Sequence, residues 1–259
     1  TDVRVAVPAL GPGCRLRFDP PGTSGACIVR SITFADRVLL KEPAWPKPVR
    51  AAVGRDALRV RSGAVELLHS RTRFGVFDVR SAGSLTACGQ MPSLVGYMAN
   101  GRQRWFRIGE RVTATKAAGG RFTVSTTARD PDGATWTFAR GFAPGPRAGS
   151  IAVDTTVRCS ATRSVVYLPM LVVHPGLSSF GAVRDHGLMA GLEYLDGPDT
   201  SSSEADIIGP LHKRQVPDTE RITFPLLVVQ NAGKWIALAW EMAPQFSAVY
   251  DSPDRIYGS

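Results

Sequence analysis

Carboxylates crowd one stretch of an otherwise basic chain. Between Asp185 and Asp206 stand Asp185, Glu193, Asp196, Asp199, Glu204 and Asp206, six of the 22 acids. Two of the four histidines, His186 and His212, lie in or just beyond it, with the Ser201–Ser203 triplet between them. Like charges held together need a cation, protonation or solvent. A calcium site, a surface for sugar hydroxyls and a solvated loop each meet that need. Calcium takes oxygen ligands, which makes Asp196, Asp199 and Asp206 the candidate ligands. Glu193 lies in GLEYL, between Leu192 and Tyr194. Period-two alternation puts its side chain opposite both. A carboxylate there can accept hydrogen bonds from neighbouring hydroxyls, and partial burial would suit it to general acid work. His186 and His174 are the other candidate catalytic groups, His174 because it ends an apolar run just before Pro175-Gly176. His212 and Arg214 make a small positive patch, able to pair with the acids before it or to hold an anionic sugar.

Aromatic side chains offer a second chemistry, because a pyranose ring stacks its C–H face on them. Trp105 lies in RQRWFR among Arg102, Arg104 and Arg107, which suits an anionic glycan. Trp235 and Trp240 are five apart on one expected strand and so face opposite sides, which sends one of them to the core. Trp240 is assigned, with Trp105, Arg102, Arg104, His212 and Arg214, to substrate binding. No GxSxG elbow, P-loop, HExxH or GxGxxG motif occurs.

Those residues need a scaffold, and the pattern around them is β throughout. The 259 residues include 26 Gly and 19 Pro, favouring turns and short strands. LRVRSGAVEL (58–67) alternates around a Ser-Gly turn, and RFTVSTT (121–127) precedes the turn signal DPDG and then TWTFARGF. SIAVDTTVRC (150–159) puts Ile151, Val153, Thr155 and Val157 on one face. RSVVYLPMLVVH (163–174), ERITFPLLVVQ (220–230) and WIALAW (235–240) read as strands, the first two as central ones. No amphipathic helical stripe of ten residues stands out. The expected fold is all-β, with two large antiparallel sheets packed face to face.

EPAWPKP (42–48) holds three prolines in seven residues, so no strand runs through it and it serves as the expected linker. Residues 1–43 read as part of a small β domain, with Val3, Val5 and Val7 alternating and DPPGTSG as a turn. The abrupt start at Thr1 suggests a mature or trimmed product, and the YDSPDRIYGS end suggests a protein that continues. Cys14 and Cys27 flank a turn. None of Cys14, Cys27, Cys88 and Cys159 has CxxC spacing, which argues against zinc ribbons and thioredoxin chemistry.

The net charge of +9 is spread along the chain with no run of five Lys or Arg, so no nucleic-acid partner is expected. No stretch of 18 apolar residues exists, so no membrane-spanning helix is expected.

From Ala44 on, the order of TWTFARGFAPGPRAGSIAVDTTVRCSATRSVVYLPMLVVHPG, GLEYLDGPDTSSSEADI, ERITFPLLVVQNAGKWIALAWE and SAVYDSPDR resembles the β-supersandwich (galactose mutarotase-like) domains of bacterial carbohydrate-active proteins. These include modules joined to helical toroid domains in glycoside hydrolases and polysaccharide lyases. Residues 1–43 resemble the end of a jelly-roll carbohydrate-binding module. The resemblance implies a β-supersandwich over 44–259, a polysaccharide or oligosaccharide partner, a helical (α/α) toroid in the same protein, and a secreted or periplasmic place. Epimerases of this fold act through a His and a Glu on the concave sheet, and neither His174 nor His186 aligns with their histidine motif. Three functions follow: a glycan-binding or glycan-processing module of a larger protein, a self-sufficient sugar enzyme using Glu193, or a structural spacer.

Overall fold

The computed structural model describes residues 52–89, 94–175, 185–196, 221–231, 233–243 and 246–248. The chain divides into two units, Thr1–Pro43 and Ala44–Ser259. The expected jelly-roll segment and both Cys14 and Cys27 lie outside the described residues.

The described part is all-β, without an α-helix. In chain order the strands are β1 (Leu58–Ser62), β2 (Val65–His69), β3 (Phe77–Ser81), β4 (Ser84–Gly89), β5 (Leu94–Ala99), β6 (Arg102–Arg107), β7 (Ala114–Ala118) and β8 (Arg121–Arg129). They continue with β9 (Thr135–Pro144), β10 (Ile151–Cys159), β11 (Ser164–Tyr167), β12 (His174–Pro175), β13 (His186–Met189), β14 (Glu193–Asp196), β15 (Leu226–Asn231) and β16 (Lys234–Ala239). Four sheets result, ordered β1-β2-β3-β4-β12, β10-β9-β8-β7, β11-β5-β6 and β14-β13-β15-β16. Every described ladder is antiparallel. Most neighbours in a sheet are also neighbours in sequence, because hairpin turns are short. Gly63 closes the β1–β2 hairpin at φ 56°, a left-handed conformation that glycine adopts without a Cβ clash.

The first three sheets share one core. Leu58, Val60, Leu67 and Phe77 come from the first, Phe122, Val124, Trp136, Phe138 and Phe142 from the second, and Val95, Tyr97 and Phe106 from the third. Alternation decides membership: in β9 every second residue from Trp136 to Phe142 is buried. Arg140 shares that inner face and is only 6% exposed. It donates from Nη2 to the Met170 carbonyl at 2.5 Å and from Nε to the Thr155 hydroxyl at 3.3 Å, and its guanidinium lies over the Phe74 ring. Burial pulls its pKa down to about 10.

Two further polar groups are built into this core. The Asp130 carboxylate, at the DPDG turn, is fully buried. It accepts from the backbone N–H of Asp132 and Ala134 at 3.0 and 2.9 Å, from Trp136 Nε1 at 3.0 Å and from Arg163 Nε at 2.8 Å. Desolvation alone would raise its pKa, but the hydrogen bonds from Arg163, Trp136 and Ala134 outweigh it and hold the group at about 2. His69 is fully buried among Phe77, Phe122 and Phe142. Its Nε2 accepts from Gly75 N–H at 3.3 Å, so Nδ1 carries the proton and donates to the Ser70 carbonyl at 2.6 Å.

The fourth sheet has its own small core. Met189, Leu195, Leu227 and Val229 are buried on one face, with Ile236, Leu238 and Trp240 packed against them. Lys234 ties this sheet to the first by donating from Nζ to the Leu85 carbonyl at 3.3 Å.

Two expectations change. The strands fall into four hydrogen-bonded sheets among the described residues, where two large sheets were expected. The run 163–174 is not a central strand. It is extended at Ser164–Tyr167, at the edge of its sheet with Val165 and Val166 42% and 46% exposed, and again only from His174, which starts the two-residue β12 at the edge of the first sheet. Pro169, which has no N–H for a ladder, stands two residues after Tyr167. By contrast, β15 is central, between β13 and β16, and starts directly after Pro225.

The buried histidines set an acid limit. Desolvation lowers His69 to about 4, helped by the Arg140 charge and opposed by the Ser70 carbonyl. Desolvation lowers His174 to about 3. The unfolded chain therefore binds more protons below pH 6.5, and stability falls as pH drops from 6.5 towards 4. Below pH 4 the Asp130 contribution is lost as well. Urea unfolding at pH 7 and pH 4.5 should show a drop of a few kcal/mol, roughly 1.4 per pKa unit titrated. His69→Gln should flatten that slope, and an unchanged slope would refute the assignment.

Candidate functional site

The outer face of the fourth sheet gathers the residues best placed for recognition. GLEYL opens with the glycine that makes this possible. Gly191 has φ 90°, and a Cβ there would lie 2.3 Å from Thr223 Oγ1 and 2.6 Å from Thr223 N. Only glycine lets the chain turn so tightly from β13 into β14 beside Thr223. The turn is closed by Leu192 N–H donating to the Met189 carbonyl at 3.0 Å.

Register then sets the side chains in rows. Asp196, His186, Gln230 and Trp235 lie opposite one another across β14, β13, β15 and β16. Tyr194, Leu188, Val228 and Ala237 form the next row on the same face. Tyr194 is 63% and Trp235 60% exposed, far above the norm for large aromatic residues. The His186 ring lies between them. Its centroid is 6.1 Å from that of Tyr194 with 24° between planes, and 6.3 Å from that of Trp235 with 12°. The three ring planes are therefore close to parallel. Asp196 Oδ1 stands 3.0 Å from His186 Nδ1, and the Tyr194 hydroxyl 3.2 Å from the same nitrogen. An Nδ1–H donated to the carboxylate fixes the ring's orientation and leaves Nε2 as its other polar atom. The flank is tied down by Asp185, whose Oδ2 accepts from Gly233 N–H at 3.3 Å.

The arrangement offers flat C–H-accepting rings beside a carboxylate and an amide. It offers no acid–base pair across one ligand. Glu193 is opposite Met189 on the inner face, with buried Leu195 two residues on, so the sheet separates it from His186 and Asp196. His174 is in another sheet, buried opposite Cys88, and neutral at ordinary pH. The three candidate catalytic residues are therefore not brought together.

No family model matches the chain, and neither curated proteins nor solved structures give a match.

The other sequence candidates are scattered. Trp105 packs beside Tyr167 and lies over Gly96, where a Cβ would approach its indole to 2.8 Å. Arg104, next to it in β6, is opposite Tyr97 and so on the other face from Trp105. Arg102 is opposite Ala99 at the start of β6, and its side chain lies outside the described residues. Trp240 packs against the small core, which makes Trp235 the exposed tryptophan of the pair. His212, Arg214, Asp199 and Asp206 lie outside the described residues, so the calcium set is represented here only by Asp196. Among the described residues no group of three His, Cys, Asp or Glu side chains could hold a metal, and no helix is long and apolar enough to cross a membrane. Tyr194 and Gln230 are additions from the structure. Alternation along EYLD already placed Tyr194 with Asp196, but the cross-strand partners could not be read without the register.

If the aromatic row is there for recognition and not for packing, its removal should leave the fold intact. Tyr194→Ala and Trp235→Ala should each change stability by about 0.5 kcal/mol or less, as exposed substitutions do. Trp136→Ala, which empties the core and strips a partner from Asp130, should cost roughly 3–5 kcal/mol. Chemical denaturation of the three variants decides it.

Proposed function

We propose that this unit is a carbohydrate-binding module of a larger polysaccharide-processing protein, and that it binds sugar on the outer face of the β14-β13-β15-β16 sheet. The reading is carried by the row of near-parallel rings of Tyr194, His186 and Trp235, two of them well exposed, on a solvent-facing sheet. A sugar ring presents an apolar C–H face and a polar rim. The aromatic rings match the first, while Asp196 and Gln230 accept hydrogen bonds from the second. Aromatic area this exposed is costly to leave in water without a partner.

The resemblance of residues 44–259 to mutarotase-like domains supports the same glycan context. Catalysis within this unit has less support. A glycosidase needs two carboxyl groups roughly 5–10 Å apart, on either side of the scissile bond. Glu193 and Asp196 face opposite sides of their sheet. A spacer role alone leaves the exposed aromatic row without a purpose.

Affinity electrophoresis and titration calorimetry against a panel of soluble polysaccharides test the proposal. Binding to at least one of them should weaken about tenfold or more in Trp235→Ala, the loss expected for one well-placed ring contact of ~1.4 kcal/mol. Trp105→Ala, at the half-buried tryptophan, should leave affinity nearly unchanged. Absence of binding across the panel, or equal binding by Trp235→Ala, would remove this face from the function.

A further inference from the structure

We infer that the glycan recognised on this face is an uncharged, extended chain, laid across the strands so that successive sugar residues meet successive rings. The inference rests on the carbohydrate-binding reading above and specifies its ligand.

Three observations carry it. The first is spacing. From Tyr194 to His186 and from His186 to Trp235 the ring centres step by 6.1 and 6.3 Å. Each step is close to the length of one pyranose residue. Equal steps therefore suit a repeating chain, whereas a single sugar could use only one of them. Tyr194 is on β14, His186 on β13 and Trp235 on β16, so the line of rings crosses the sheet.

The second is shape. The rings differ in tilt by 24° and 12°, and their neighbours Leu188 and Ala237 are exposed on the same side of the sheet. One side of a sheet touches a sugar from one side only. Affinity on such a surface accumulates from linked contacts, each residue after the first binding at the high local concentration imposed by its linkage.

The third is charge. The protein carries +9 overall, yet the described strand residues of this face include no Lys or Arg. Lys234 is turned to the other side, with Nζ on the Leu85 carbonyl. Among the described residues, the formal charges at this face are the Asp196 carboxylate, 70% exposed, and Asp185 at its edge. His186, when protonated, is paired with Asp196. A uronate or sulfate group would meet like charge here, while sugar hydroxyls can donate to Asp196 and to the Gln230 amide oxygen.

Calorimetry with the intact chain distinguishes the cases. The ligands are neutral β-linked gluco- and manno-oligosaccharides of one to six residues, and oligogalacturonates of the same lengths. Affinity for a neutral series should rise by about tenfold per residue up to the third sugar and then level off, following the one-ring-per-residue geometry. Tyr194→Ala and Trp235→Ala should each remove one step of that rise, and Asp196→Asn should not improve binding of the neutral chain. Two results overturn the inference while sparing the parent reading: a monosaccharide bound as tightly as the trisaccharide, or oligogalacturonate bound more tightly than every neutral ligand, with Trp235→Ala weakening either. Failure of all ligands, or indifference of all of them to Trp235→Ala, overturns the parent reading as well.

Discussion

Met189, Leu195, Leu227 and Val229 must leave water, and a strand can only bury them by turning every other residue the opposite way. That constraint fixes the direction of Tyr194, Asp196, His186 and Trp235. A shift of register by one residue would put the aromatic row into the small core and the apolar set into solvent. The recognition face is thus a by-product of burial on the reverse side. Its stiffness has the same origin, since each strand of the sheet is held by a ladder and by an inner face that cannot slide without exposing aliphatic surface.

The larger core solves a different problem. Its three sheets meet around aromatic rings, and yet Arg140, His69 and Asp130 are buried with them. Each is tolerated because its polar atoms find partners. Asp130 is surrounded by donors from Asp132, Ala134, Trp136 and Arg163, which joins the DPDG turn to the core tryptophan and to the segment before β11. Tyr97 adds a second tie to that turn through Asp132, at 2.5 Å. Arg140 holds the irregular segment after β11 through the Met170 carbonyl. Segments that form no ladder of their own are kept in place by these few directional contacts. The cost is sensitivity to acid, because a proton on His69 would put a charge in a dry site, with the Arg140 charge adding to the penalty.

Much of the architecture was legible from alternation. The β1–β2 hairpin, the long β8–β9–β10 meander, the central β15 and the opposed directions of Trp235 and Trp240 follow from spacing and turn residues. The run 163–174 was misread because a continuous apolar stretch looks the same whether it crosses a sheet or wraps over a core as irregular chain. His69 passed unnoticed, although it continues the Val65–Leu67 alternation onto the buried face. Nothing in its type reveals that a histidine at such a position will be dry, since that depends on Phe122 and Phe142, more than fifty residues away.

The sequence by itself determined the class of structure, which residues of a strand share a face, and the concentration of acids around β14. These are local properties, carried by period-two patterning and by turn-forming residues. The tertiary structure alone decided which of the candidate residues become neighbours. Glu193, His186 and His174 are close to one another in the chain and end on different faces or in different sheets, while Tyr194 and Trp235, 41 positions apart, end on either side of one imidazole. Strand pairing brings distant residues together through backbone hydrogen bonds that are the same for every side chain, so composition carries no record of the partner.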